Sequence, residues 1–169
     1  PDTYKQGLTV IKKNKVVSIA YCLKNTKGEE LDQAGADKPL EYLHGCGNIV
    51  PGLENALDGL KVGNKKDVTV KPEDGYGEIL TDLKMEVERQ AFPTDQKIDP
   101  GMQFMGELKD GKKHPFNVVE VKDGKVRVDG NHPLAGQTLQ FSVEIIKIRD
   151  ATSEELKHGH AHGEGGHHH

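Results

Sequence analysis

Six of the nine histidines in this 169-residue chain fall in its last twelve positions. Within that stretch His158, His160 and His162 alternate with Gly159 and Ala161. Small residues at every second place let a flexible segment fold three imidazoles round one cation, and neutral imidazole suits Ni²⁺, Zn²⁺ and Cu²⁺. The plainer alternative is a flexible tail that binds nickel only because any histidine cluster does. The run His167–His169 has the form of a purification tag. Other reactive residue types are scattered. Cys22 and Cys46 share no motif spacing and read as reduced thiols, with no partner base evident for Cys46. His44, in LHGCG, reads as a residue that holds a loop together. Tyr76 stands in a Gly-flanked loop, as apt for turn packing as for a site, and Asp32 is read as a turn or cap residue.

The elements that must position these residues are mostly strands. Val17, Ile19, Tyr21 and Leu23 alternate with smaller or polar residues, which predicts a strand with one buried face. Leu53, Ala56, Leu57 and Leu60 share one helical face, with Pro51 suited to the first turn and Gly59 or Gly63 to the end. Val68–Val70 continues as a strand. From about Ile79 to Val128 the texture is more charged, and FNVVEVKDGKVRV at 116–128 predicts a hairpin with Asp123-Gly124 at a type I′ turn. Phe141, Val143 and Ile145 alternate in a closing strand, where Ile146 and Ile148 imply a phase shift or bulge. Residues 1–9 form a loose extension, and residues 151–169 a disordered His-rich tail. The fold class is α+β with antiparallel sheet.

Composition narrows the function. Hydrophobic residues make up 34%, aromatics 5%, and Trp is absent, so any one core is modest. The 23 basic residues are outnumbered by 27 acidic ones, for a net charge of −4, which argues against a nucleic-acid partner. No apolar run approaches the ~18 residues of a membrane span and no leader pattern opens the chain, so a soluble, cytoplasmic monomer is expected.

Three segments together carry a family resemblance. PLEYLHGCGNIVPGLENALDGLKVG at 39–63, GYGE at 75–78 and NHPLAGQTLQFSVEIIKI at 131–148 resemble the FKBP-type peptidyl-prolyl isomerases. The roughly 50 residues between the last two, followed by a His-rich tail, look like the SlyD subfamily of isomerase-chaperones. The resemblance implies a twisted antiparallel sheet over a short helix, built from 10–78 and 129–150. It also implies an inserted small β-rich (insert-in-flap) domain over 79–128.

Rotation about an Xaa-Pro bond needs no nucleophile. Its barrier is ~18–20 kcal/mol because the planar amide is resonance-stabilised, and a water-poor pocket can favour the twisted, less polar form. The resemblance carries that task to Tyr21, Asp32, Tyr76 and Phe141 as catalytic residues. Tyr21 and Phe141 would be walls, Tyr76 a donor to a substrate carbonyl, and Asp32 a rim carboxylate. Ile49, Val50, Leu53 and Leu134 would bind substrate, with the Val50 N–H holding its backbone. Leu53 replaces the floor Trp of many FKBPs, which implies weak binding of large macrolides.

All three Met and three of the four Phe lie in the insert, among them Met102 and Phe104, which are assigned to substrate binding. Adaptable side chains of this kind suit varied unfolded clients, or serve as the lobe's own small core. The resemblance further implies that isomerisation needs no cofactor and that His158, His160 and His162 hold Ni²⁺, with Zn²⁺ or Cu²⁺ as alternatives. Partners would be unfolded or nascent proline-containing proteins, together with nickel-enzyme maturation factors. The competing readings are a non-catalytic holdase and a nickel metallochaperone.

Overall fold

The computed structural model describes residues 9–162, so all but the last residue of the extension expected at 1–9, and residues 163–169 of the expected tail with the run His167–His169, lie outside the described residues. The chain divides into two compact units, one from residues up to Gly77 together with Gly136 onward, the other Glu78–Ala135.

The first unit is organised by its longest strands. β1 (Lys15–Lys24) and β9 (Leu139–Asp150) pair antiparallel along their whole length, with β4 (Lys65–Val70) on the far side of β9. The other edge of β1 is shared, β3 (Leu40–Leu43) pairing with Val16–Ile19 and β2 (Glu30–Ala34) with Tyr21–Lys24. The expected alternation is present: Leu139, Phe141, Val143 and Ile145 are all buried. The expected phase shift is present too. Ser18 pairs with Lys147 and Ile19 with Ile145, so Ile146 is the extra residue of a bulge.

Helix α1 (Pro51–Leu57) buries Leu53 and Leu57, and Pro51 opens it at a position where a missing N–H costs nothing. Gly59 ends it at φ +84°, and its N–H bonds to Ile11 O at 2.8 Å. Gly52 permits a close approach to the sheet, since a Cβ there would meet Val70 Cγ1 at 2.7 Å.

The second unit is a four-stranded antiparallel sheet in the order β5 (Lys84–Glu88), β8 (Lys125–Asp129), β7 (Lys113–Lys122), β6 (Gln103–Glu107). The β7–β8 hairpin turns at Asp123 and Gly124 with φ of +56° and +74°, the double positive that type I′ demands. Its core is Ile98, Phe116, Val118, Val126 and Val128. Phe116 fits only because two neighbours are glycine: a Cβ on Gly106 or Gly130 would stand 2.8 or 2.7 Å from its ring. The unit continues past 128 to Ala135, beyond the boundary expected from sequence. Asn131 is the physical reason, accepting the Leu80 N–H at 2.8 Å and donating to Leu80 O at 3.0 Å, which binds the exit of the lobe to its entry.

The C-terminal segment corrects a second expectation. Residues 151–162 were expected to be disordered, yet Ser153–His158 form helix α2. Thr152 and Glu155 make a complete capping box, and the two terminal nitrogens of Arg149 each donate to the Glu155 carboxylate at 2.8 Å. Those partners make burial of Glu155 possible at 1% exposure. Among the described residues no helix is long and apolar enough to cross a membrane.

Candidate active site

Side chains from well-separated stretches of the first unit line a cleft of about 240 Å³. β1 supplies Tyr21 and Leu23, β2 Asp32, β3 Leu40, and β9 Phe141. The connection from β3 into α1 supplies Gly47 to Pro51 and then Leu53, and the loop after β4 supplies Tyr76. Seven expected site residues therefore meet: Tyr21, Asp32, Ile49, Val50, Leu53, Tyr76 and Phe141.

The geometry is that of an apolar cleft with a polar rim. Tyr21 and Phe141 stand with ring centroids 6.2 Å apart at 54°, forming a corner. Phe141 and Leu53 are buried at 5% and 3% exposure. The Tyr21 hydroxyl donates to Asp32 Oδ2 at 2.5 Å, which fixes both the ring and the carboxylate. Burial, then that bond to Asp32, pushes the Tyr21 hydroxyl well above the usual phenol range. Tyr76 is raised as well, first by burial and then by the Asp32 charge. Both phenols are held neutral, and neither is a base or nucleophile at ordinary pH. The arrangement suits binding and twisting an amide, not covalent chemistry.

Backbone geometry sets the two loops. Tyr76 follows a single 3₁₀ turn at Pro72–Asp74, and Gly77, at φ +87°, returns its N–H to Pro72 O at 2.8 Å. Val50 caps α1, its carbonyl accepting from Leu53 and Glu54 at 3.1 and 3.0 Å. Its own N–H lies at a helix start, where amides lack intrahelical acceptors. His44 is buried between the Tyr42 hydroxyl and Asp58 Oδ1, each 3.0 Å from a ring nitrogen. It holds the loop to the end of α1, as its sequence context suggested.

Three expected substrate-binding residues lie in the second unit, Met102 and Phe104 as expected and Leu134 against expectation. Leu134 belongs to the second unit and is not among the residues lining the cleft. Met102 and Phe104 pack against that unit's core, Phe104 edge-on to Phe92 at 5.0 Å. The large apolar side chains exposed on the second unit are Met105 at 62%, Leu80, Ile79, Val119, Met85 and Val121. Their positions on the solvent face were not distinguishable by residue type. Leu23, Leu40 and Asn48 also line the cleft and were missed. The alternation marked Leu23 only as core, and Asn48 carried no signal beyond its place in the loop.

His158, His160 and His162 come together, with one nitrogen of each lying within 4.8 Å of the others. The ring centroids are 4.9 to 5.9 Å apart. His162 is held by its backbone, whose N–H donates to Glu155 Oε2 at 2.7 Å. Cys22 and Cys46 are both free, and Cys22 Sγ donates to Glu30 Oε1 at 3.4 Å. Burial, then Glu30, pushes the Cys22 thiol up.

Comparison with known proteins identifies the family. The model of the FKBP-type peptidyl-prolyl cis-trans isomerase family matches residues 8–146. The SlyD isomerase of Pasteurella multocida is 47% identical over 163 residues, covering 94% of this chain and 81% of its own. That of Vibrio cholerae is 44% identical over 156 residues, covering 92% and 77%. The solved structure of FkpA from Escherichia coli aligns with TM-score 0.46 at 19% identity, over 85% of this chain and 44% of that one. With a family model matching most of the chain and SlyD relatives 44–47% identical over more than nine-tenths of it, the chain belongs to the FKBP-type peptidyl-prolyl cis-trans isomerases, in the SlyD group.

Proposed function

We propose that the cleft of the first unit isomerises Xaa-Pro bonds in unfolded proteins and that the second unit holds segments of the same clients. We propose in addition that His158, His160 and His162 take up Ni²⁺. One observation carries the catalytic reading: an apolar cleft in which a neutral tyrosine pair and one carboxylate stand at the rim. The proline ring enters against Phe141, Leu53 and Ile49, where little water accompanies it. The amide loses resonance as it twists, its carbonyl becomes less polar, and the apolar walls favour that state over the planar one. Tyr76 donates to a substrate carbonyl and the Val50 N–H holds the neighbouring backbone. Asp32, fixed by Tyr21, keeps the wall ring in place and faces the twisting amide. No cofactor enters this scheme.

The client-holding reading is supported by the apolar side chains exposed on the second unit, led by Met105 and Leu80. Two sites on one chain raise the local concentration of proline at the cleft, which lets a weak pocket act on many sequences. The same observation is what would favour a holdase without catalysis, and a double variant separates the two. Tyr76→Phe with Asp32→Ala should lose turnover of a short Xaa-Pro peptide while still suppressing client aggregation. Loss of both activities together would reject the division of labour.

The donor set of the C-terminal cluster, three imidazoles with close nitrogens, fits a single late first-row cation. Imidazole binds such an ion only when neutral, so uptake should weaken on acidification. Calorimetry with Ni²⁺ on the full chain and on a chain lacking residues 157–169 tests this. Retained binding in the shorter chain would move the site into the folded body.

A further inference from the structure

We propose that Asn48 is a positioning residue of the isomerase cleft, through which the capped C-terminal helix holds the loop that grips the substrate backbone. The inference rests on reading this cleft as the isomerase site. Asn48 lies in the connection between β3 and α1 that lines the cleft with Gly47, Asn48, Ile49 and Val50. Gly45 and Gly47 in that connection both have positive φ, at +96° and +71°, so backbone preference alone does not define its path. Side-chain bonds supply what the backbone does not. Glu54 Oε2 accepts the Gly45 N–H at 3.0 Å, His44 anchors the start of the loop to Asp58, and Asn48 holds the part next to Ile49 and Val50.

The Asn48 amide uses both of its ends. Its Oδ1 accepts the Leu43 N–H at 3.1 Å, tying the loop to the end of β3. Its Nδ2 donates to Gly159 O at 2.9 Å, with a longer 3.5 Å contact to Cys46 O. Gly159 is the left-handed C-cap of α2, where the final carbonyls lack intrahelical partners and must find others. That carbonyl is itself held in place. Gly159 N–H bonds to Glu155 O at 2.8 Å, and Glu155 is fixed by Arg149 and by Thr152. A continuous series of bonds therefore runs from β9 through Arg149, Glu155 and Gly159 to Asn48, two residues from the Val50 N–H. A displacement there loosens the hold of the Val50 N–H on a bound peptide in ground state and transition state alike, which raises KM and leaves kcat little changed.

The test uses the full chain and two readouts, peptide turnover and amide hydrogen exchange over residues 43–50. Asn48→Ala should raise KM for a short Xaa-Pro peptide about fivefold, the scale of one hydrogen bond, with kcat within about twofold. Asn48→Asp keeps the acceptor for Leu43 and loses the donor to Gly159, so it should behave like the alanine variant. Glu155→Ala, remote from the cleft, should raise KM in the same direction and speed exchange in the loop. Combined with Asn48→Ala it should add little, because both break one connection. Thr152→Ala removes only the cap and gives a milder version should Glu155→Ala fold poorly. Wild-type KM and loop exchange in the Glu155 or Thr152 variant would overturn the proposal, as would full rescue by Asn48→Asp. A wild-type chain with no turnover would sink the isomerase reading instead, and loop exchange would still decide whether the helix holds the loop.

Discussion

The two units use apolar residues in opposite ways. Of the eight large hydrophobic side chains exposed among the described residues, Ile79, Leu80, Met85, Met105, Val119 and Val121 lie in the second unit and only Val62 and Leu156 in the first. The first unit buries the apolar residues of β1, β3 and β9 behind a cleft in which the Tyr21 hydroxyl is bonded to Asp32. The second rests on a cluster of five buried residues and leaves six large apolar side chains to solvent. A site that twists one bond needs fixed side chains from many parts of a stiff sheet. A surface that accepts many sequences needs adaptable apolar area and little else. The contrast suggests that the two tasks can be damaged separately.

The largest effect should come from removing one side of the comparison altogether. With the second unit, residues 78–135, replaced by a short flap, acceleration of a proline-limited refolding reaction should fall roughly a hundredfold, the scale of lost effective concentration. Turnover of a short Xaa-Pro peptide by the same protein should change little. Equal losses in both assays would mean that the cleft depends on the insert for more than client supply.

Phe116→Ala attacks the second unit from inside. Emptying the space between Gly106 and Gly130 should destabilise that lobe by about 3–5 kcal/mol. Differential scanning calorimetry should then resolve an early transition for the insert while peptide turnover persists at lower temperature. A single shared transition would show that the units unfold together.

Within the first unit, Tyr76→Phe should lower kcat/KM for the peptide about tenfold, since one hydrogen bond to the bound peptide is lost. Aggregation suppression should be untouched, and a parallel fall there would break the comparison from the other side.

Two pH effects are smaller. Arg149, first through its hydrogen bond, holds the Glu155 carboxyl well below its ordinary value of 4.5. A depressed carboxylate contributes stability that is present above that ordinary value and is lost as pH falls below it. The wild-type melting temperature should therefore drop on acidification below about pH 4.5, and Glu155→Gln should flatten that limb. Because Tyr21 and Tyr76 are both raised above the usual phenol value of 10.0, peptide turnover should show no loss from phenol ionisation as pH approaches 10. A decline with a midpoint near 10 would mean that one of the two hydroxyls is more exposed than its surroundings indicate.

Much of this organisation was legible from residue order. Alternation placed β1 and β9, and the misfit of Ile146 and Ile148 signalled the bulge. Asp123-Gly124 marked its hairpin because few dipeptides tolerate two positive φ values. The polar strands β2 and β6 were not, since ELDQA and QFMGE carry no periodic apolar signal and become strands by pairing with partners already in place. His44, in LHGCG, reads as a residue that holds a loop, and its bonds to Tyr42 and Asp58 agree with that. Tyr21, Asp32 and Phe141 had no individual signature of function. Their residue types fit an ordinary core or turn, and only the family pattern singled them out.

The C-terminal segment draws the final line. By itself the sequence determined that three histidines at alternate positions could meet round one ion, because that depends only on local spacing. It also contained a capping box, in the Thr152 and Glu155 types at the right separation. Tertiary structure decided that this segment is part of the fold. Arg149 on β9 makes burial of the Glu155 charge tolerable, and Asn48, 111 positions away, meets the Gly159 carbonyl. Bonds between groups so distant in sequence have no periodicity to betray them. They exist only after the sheet has brought β9, the β3–α1 loop and the last helix together.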